Sequence, residues 1–495
     1  ARLATPIAPL VDDMDLETWY FFVPNRITWP DWEDFITGVD TALTVPTMLM
    51  YVAPNYTIAT GSVMDQFGLP PGVTFASSAY GKFNVLPIWG YFTIYNEWFR
   101  DQNLQTEWVF QDPWTTGSSS LNITQGGVAW DQMPLRVNKR HDYFTSSLPW
   151  AQKGTAVTIG LVGNAPVKTA STAQVTGAQN PLAWLGSASG GAPTNSIALG
   201  TAASGGTTVN SGTAISPGAG LYPSNLYADL AGATSTTINA LRLAFQTQKL
   251  LERDARGGSR YVEQLMSHWG VRSPDFRMQR PEYLGGSKIA IIVNPIAQTA
   301  AYDAEPGATA SAVGNLGAEM HASGHKRTFT YAAVEHGYII GLCAVRATPT
   351  YQQGVRRHWH RSARLDYYFP AFAMLGEQAV NTTEIYTPTG APSVATWGYQ
   401  EHWAEMRYTP NEITGVLRST YSAPMDWWHL SEEFSAEPAL NASFITDKTQ
   451  ETLARALATA PNEQWSAQII MDILHSSNVA RLMPTYSVPG LIDHF

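Results

Sequence analysis

Cysteine is all but absent. Cys343 stands alone in 495 residues, which excludes an intrachain disulfide framework and any zinc ribbon or finger, and points to folding in a reducing cytoplasm. Charge is also scarce, at 14% of residues against 44% hydrophobic, so the chain is too apolar to stay disordered and long enough to bury a large core. Positive charge is scarcer than negative: 30 Lys plus Arg face 40 Asp plus Glu, a net charge of −10. That balance excludes a protein that coats nucleic acid by bulk positive charge, and any such contact must be local. Long apolar runs are missing. The longest, near Trp19 to Val23 and Tyr338 to Val345, fall far short of the roughly 20 residues of a bilayer-spanning helix, so no membrane insertion is expected. The first residue is Ala, with no charged-then-apolar leader behind it, so the chain is expected to begin inside a longer gene product.

Catalytic signatures are missing too. There is no P-loop, no H-E-x-x-H, no dinucleotide fingerprint and no G-x-S-x-G elbow. Cys343 lies inside the apolar run Ile339 to Val345 and reads as a buried, inert thiol. His321 with His325 has the spacing of one helix face, and His358 with His360 that of one side of a strand, but neither pair has the carboxylates or thiols that complete a tetrahedral site. No metal and no cofactor is expected. Asp12, Asp13, Asp15 and Glu17, or Glu401 and Glu405, could be imagined flanking a sugar, but spacing along a β chain cannot set the separation that glycoside hydrolysis demands.

What is present is aromatic and turn-rich: 17 Trp, 22 Tyr, 18 Phe, 40 Gly and 31 Pro. Short apolar runs end at Pro, Gly or Asn, as in Leu16 to Val23 and Ile289 to Val293, and read as strands of a mainly β body. Thr328 to Val345 alternates in part and then runs apolar, as a strand entering a two-sided core would. Helical spacing appears in Pro87 to Phe99, with Tyr91, Ile94, Tyr95 and Trp98 on one face, and in Thr236 to Arg256. The second stops at Gly257 and Gly258 after Arg253 and Arg256, the expected chemistry of a helix C-terminus; Ser259 restarts a shorter helix through Trp269.

Two segments depart from this texture. From 154 to 228, 45 of 75 residues are Ala, Gly, Ser or Thr, and Lys168 is the only charge. The segment reads either as a flexible insertion or as a protrusion ordered by packing against copies of itself, the latter favoured by the apolar anchors Val157, Ile159, Leu161, Val162, Leu182, Trp184 and Leu185. The run Arg356, Arg357, His358, Trp359, His360, Arg361 and Arg364, followed by Tyr367 and Tyr368, is the densest positive patch. Arginines beside aromatic faces suit single-stranded nucleic acid, and equally a protein interface or pairing within the chain.

Several motifs in order are recognisable: Ala1 to Ile7 (ARLATPI), Met14 to Arg26 (MDLETWYFFVPNR), Asn96 to Leu104 (NEWFRDQNL) and Arg280 to Gly286 (RPEYLGG). Glu335 to Tyr338 (EHGY), Thr350 to Gly354 (TYQQG), Leu375 to Ala379 (LGEQA), Gly398 to Glu401 (GYQE), Ile413 to Gly415 (ITG) and Val488 to Phe495 (VPGLIDHF) follow. Together they resemble the major capsid proteins of the Microviridae, tailless icosahedral single-stranded-DNA phages, on the gokushovirus-like branch. Only 154–228 matches nothing in particular.

The resemblance implies one capsid domain over 1–495, an eight-stranded antiparallel jelly roll with long loop insertions that contain a few helices. Sixty copies would close a T=1 shell in a virion assembled in the bacterial cytoplasm. The implied partners are the chain itself, packaged single-stranded DNA, a small basic DNA-binding protein, spike, scaffolding or pilot proteins, and a host surface receptor. The insertion 154–228 would project at the threefold axes and meet the host. Ten negative charges per copy cannot offset a polyanion, so Arg356, Arg357, His358, Trp359, Arg361 and Arg364 are expected to face inward, toward DNA or the basic protein. Members carry an arm before the Ala1 to Ile7 motif, so its contacts cannot be assigned. The competing reading is a β-rich carbohydrate-active enzyme or carbohydrate-binding module, which would fold as a monomer with a deep polar cleft.

Overall fold

A computed structural model describes residues 2–3, 6–37, 50–51, 56–75, 83–110, 123–155, 167–169, 183–187, 195–201, 207–210, 220–223, 226–228, 238–258, 261–270, 279–300, 312–387, 394–458 and 468–481. The chain divides into two units, one of 1–151 with 257–495 and one of 152–256. It is strand-rich, with sheets of two to four strands that pair antiparallel except for Thr350–Tyr351 beside Asn411–Glu412. No described helix is long and apolar enough to cross a membrane.

The centre of the larger unit is the strand Met14–Pro24, flanked by Glu282–Ala290 and Gly337–Ala347. Its aromatic and β-branched residues favour extended backbone, and alternation sends them to two different faces. On one face Phe21, Val23 and Ile340 pack with Ile94 of the helix Leu86–Ile94. Gly90 permits this approach: a Cβ there would lie 3.0 Å from Ile340 Cδ1. The helix differs from its expected one-sided pattern. Leu86, Ile88, Trp89, Gly90, Tyr91, Phe92 and Ile94 are all buried, because Trp29, Met64, Phe83 and Ile123 close over the side that the spacing assigned to solvent. It continues as a π-helical turn, Tyr95–Phe99.

On the other face, Met14 and Ala347 at one end pack with Leu453 of the short helix Thr449–Ala454, and irregular chain meets the rest. Phe329 lies on Tyr20 and Tyr331 on Phe22, at ring separations of 5.4 and 5.0 Å. Residues 328–336 are irregular, and the strand expected from Thr328 begins only at Gly337. These residues lie over the sheet instead of extending it. Gly285, at φ 150°, brings its backbone against the Thr328 carbonyl: a Cβ would sit 2.7 Å from that oxygen. The two-sided core expected for Ile339 to Val345 is likewise not formed, since Ile339 is 51% exposed and Gly341 and Cys343 are exposed.

Two further clusters complete the unit. Leu10, Met14, Ile291, Met320, Leu430 and Leu453 gather under the hairpin Ile292–Ala297 and Leu316–His321. Tyr143, Phe144, Tyr351, Val380, Ile385, Trp397 and Phe444 gather under the hairpin Glu377–Asn381 and Thr396–Glu401. The helix Tyr261–Trp269 lies where Ser259 restarts the pattern.

In the smaller unit, Val167–Thr169 pairs with Leu226–Ala228, and a four-stranded antiparallel sheet runs Thr207–Asn210, Asn195–Thr201, Ala183–Ser187, Gly220–Pro223. The unit reaches past the low-charge stretch to include the helix Ile238–Arg256, after which Gly258 turns left-handed at φ 97°. Trp184 and Leu185 lie on the Ala183–Ser187 strand. Val157, Ile159, Leu161, Val162 and Leu182 lie outside the described residues.

Candidate interaction surface

The basic run follows Tyr351, which belongs to the cluster under the hairpin Glu377–Asn381 and Thr396–Glu401, and it is positioned by carboxylates from later in the chain. Arg356 pairs with Glu412, and its Nη2 donates to the Pro410 carbonyl at 3.1 Å. Arg357 Nη1 donates to Glu384 Oε1 at 3.0 Å and to the Ala379 carbonyl at 2.6 Å. Arg361 Nη2 donates to Glu405 Oε1 at 3.1 Å. Arg356, Arg357, Arg361 and Arg418 line a cavity of about 170 Å³ with Tyr143 and Tyr408.

Glu384 is the deepest of these groups, its side chain 2% exposed. It sits on the short helix Thr382–Ile385, where its carboxylate also accepts from the Asn381 N–H at 3.0 Å and the Tyr143 hydroxyl at 2.9 Å. Burial pushes its pKa above the usual carboxylate range, because the Arg357 guanidinium and the two hydrogen bonds offset desolvation only in part. Burial and the adjacent Glu384 charge push the Tyr143 phenol strongly upward. Such a constellation holds a loop in place and leaves little positive charge for another molecule.

Of the options the sequence left open for this run, intrachain pairing is therefore what Arg356, Arg357 and Arg361 do. The rest faces outward. Trp359 is 76% exposed and Leu365, Tyr367, Tyr368 and Met374 are exposed; His358, His360 and Arg364 are exposed as well. Arg364 rests over the Phe369 ring, 5.7 Å from its centroid, and Arg361 over Tyr367 at 5.9 Å. The result is an aromatic surface rimmed by cations on short 3-10 turns, Arg357–His360, Arg364–Asp366 and Pro370–Phe372. Sequence reasoning found the arginines but not their pairing with Glu384, Glu405 and Glu412, of which it had named Glu405 only as an imagined partner of Glu401. The carboxylates lie 27, 44 and 56 residues away, and only hairpin folding brings them close.

The other chemical candidates separate. Asp15 and Glu17 both pair with Arg140, at 2.8 and 2.7 Å, and Arg346 reaches Glu17 at 2.9 Å. Glu401 pairs with Arg407. Asp12 caps the Leu430 N–H at 2.6 Å. His321 ends a strand and His325 is in an irregular segment, so they share no helix face, and His358 and His360 occupy a 3-10 turn, not a strand. No group of three potential metal ligands occurs among the described residues. Cys343 is exposed, contrary to the buried thiol expected, because the strand's outer face is open. Its neighbours still desolvate it enough to raise its pKa.

Comparison with known proteins decides among the readings. Residues 1–491 match the family model described as capsid protein (F protein). The chain belongs to that family. It is 39% identical to capsid protein VP1 of Bdellovibrio phage phiMH2K, with 100% of this chain and 88% of the relative aligned. Capsid protein VP1 of Chlamydia phage 1 is 38% identical over 99% of this chain and 89% of its own length, and that of Spiroplasma virus 4 is 34% identical over 99% and 88%. The protein is thus a structural, non-enzymatic major capsid protein of a virion, and its mainly β body assembles with copies of itself. Nothing supports the carbohydrate-active alternative. Trp, Tyr, Met and Arg, the residue types exposed on this surface, are those enriched at protein interfaces.

Proposed function

We propose that sixty copies of this chain close a T=1 icosahedral shell around a single-stranded DNA genome, assembled in the cytoplasm of a bacterial host. The alignment with capsid proteins along essentially the whole chain carries this reading. A jelly roll as the common core agrees with a strand-rich body whose sheets pair antiparallel. The low-charge segment 154–228 projects from the shell at the threefold axes and meets the host receptor. Trp184 and Leu185, with Val157, Ile159 and Leu182, are the apolar anchors that pack it against its symmetry mates.

The surface of His358, Trp359 and Arg364 faces the interior and meets DNA or the small basic DNA-binding protein. Arg356, Arg357 and Arg361, held by their carboxylates, brace that surface. Open aromatic rings beside a free guanidinium suit unpaired bases and their phosphates. The net charge of −10 per copy requires a basic partner to neutralise most of the genome. Spike, scaffolding and pilot proteins complete the set of partners.

The test is electron microscopy of particles from cells expressing the chain, together with nuclease-protected DNA. Closed shells of sixty copies are expected. Open sheets, or a stable monomer of the full chain, would refute the reading. Trp359→Ala with Arg364→Ala is expected to leave shell formation intact and lower protected DNA at least threefold; unchanged DNA content would remove the interior role.

A further inference from the structure

The segment that follows the strand Ile469–Ile470 is anomalous. Residues 471–481 form neither helix nor strand, and every one of them is exposed. Leu474 is 92%, Val479 65% and Ile473 41% exposed. Among the described residues none of the eleven makes a hydrogen bond or an ion pair. The contact that places the segment is the His475 ring, edge-on to Tyr20 at 5.9 Å. Tyr20 projects from the face of the central sheet that carries the exposed Ile339 and Cys343, opposite Gly341. An exposed irregular backbone and outward-facing aliphatic side chains do not stabilise one another within one copy.

The sheet carries the complementary deficiency. Among the described residues, Gly337–Ala347 is an edge strand of eleven residues, paired on one side only, with Met14–Pro24. Along its free edge the one backbone group with a partner among the described residues is the Ala347 N–H, which donates to Thr449 Oγ1 at 3.0 Å. Ile339 is 51% exposed, and Gly341 and Cys343 beside it carry little or no side chain to obstruct an incoming strand. A long, free edge of this kind is a template for another extended chain.

We propose that residues 471–481 are an assembly arm that adds as a strand to the free edge of Gly337–Ala347 on a second copy of this chain. The occupant is a second copy because the family assembles with itself and because one molecule holds both unsatisfied halves. In the single chain the arm passes over the face of its own sheet without pairing to that edge. The contact would be heterologous, each copy giving an arm and receiving one, the arrangement that generates closed rings and shells. The proposal rests on self-assembly and not on the number of copies or on the interior surface.

The lone cysteine makes the test direct. Ile473→Cys, Leu474→Cys and His475→Cys, one at a time, are oxidised in assembled particles of the full chain and run without reductant. Disulfide-linked dimers and longer ladders are expected for at least one position, and none when Cys343→Ser is added. Bonds within one chain only, links to a different virion protein, or no link in any variant would overturn the proposal. Independently, Leu474→Asp is expected to lower particle yield at least tenfold while the unfolding midpoint of the unassembled chain stays unchanged, since the side chain touches nothing there. Normal particle yield from this variant would also overturn it.

Discussion

The two faces of the central sheet are made by the same three strands and are finished differently. On one, Trp19, Phe21 and Val23 meet the helix Leu86–Ile94, and Phe21, Val23 and Ile94 are all but sealed from solvent. On the other, Met14, Leu16 and Phe22 are buried and Tyr20 and Phe22 meet irregular chain, but Ile339, Gly341 and Cys343 of the edge strand remain open. A monomeric protein would cover both. On the assembly-arm proposal, a neighbouring copy completes the open part of the second surface, so the burial missing from one chain marks where stability is deferred to assembly.

The covered face should therefore carry the largest cost in a single chain. Phe21→Ala removes a ring 1% exposed and is expected to destabilise the unassembled chain by about 3–5 kcal/mol. Tyr20→Ala, one residue along and on the other face, is expected to cost about 1 kcal/mol. Urea unfolding of the two variants measures the ratio. Equal costs would mean that the faces are equally finished, and the comparison would fail.

Next comes the buried pair behind the basic surface. Glu384→Ala takes the carboxylate from Arg357, which keeps the Ala379 carbonyl, and the acceptor from the Tyr143 hydroxyl, and is expected to cost about 2–3 kcal/mol, below the full range for broken buried pairs because Arg357 is 20% exposed. Replacing both, Arg357→Met with Glu384→Leu, is expected to cost less than either single change. If the double variant is worse than the sum of the singles, the pair does more than neutralise itself.

How much of this was legible in the sequence depended on how local the cause was. The helix Ile238–Arg256 and its glycine stop follow from spacing and end chemistry within one segment. The strand Met14–Pro24 followed from its own aromatic and β-branched run. The covering of the helix Leu86–Ile94 was not legible, because Trp29 and Ile123 come from chain on either side of it. The arginine run showed itself as charge, but its neutralisation depends on Glu384, Glu405 and Glu412 returning through a hairpin. Cys343 was misplaced for the same reason. An apolar run predicts burial, and here the burying surface is absent from the single chain.

A smaller effect is expected from pH. His429 is fully buried, with Nε2–H donating to the Leu417 carbonyl at 2.6 Å and Nδ1 accepting from the Ser431 N–H at 3.2 Å. Burial, and then the neighbouring Arg455, lower its pKa below 6.5, although Asp12 and Asp426 act the other way. The folded state thus resists a proton that the unfolded state takes up. Stability from this group is complete above pH 6.5 and falls as pH drops below it, with a slope no steeper than about 1.4 kcal/mol per pH unit. Unfolding of the unassembled chain between pH 7 and 5 measures that slope. In His429→Gln the part due to this group should vanish; an unchanged slope would assign the acid sensitivity elsewhere.

The finest test uses neighbouring isoleucines on one strand. Ile340 is 4% exposed and packs with Phe21 and Ile94, while Ile339 is 51% exposed on the opposite face. Truncating Ile340 to Ala should cost the unassembled chain about 2–5 kcal/mol, the range for a buried side chain that leaves a cavity. Ile339→Ala should stay within about 0.5 kcal/mol, because half its surface is already in water and little packing is lost. The gap should narrow in particles. Ile339→Ala should lower the disruption temperature of the shell more than that of the lone chain, since a neighbour there supplies the burial this face lacks. Should the shift be the same in both states, the open face would be surface in the virion too, and the reason for leaving it uncovered would have to lie outside assembly.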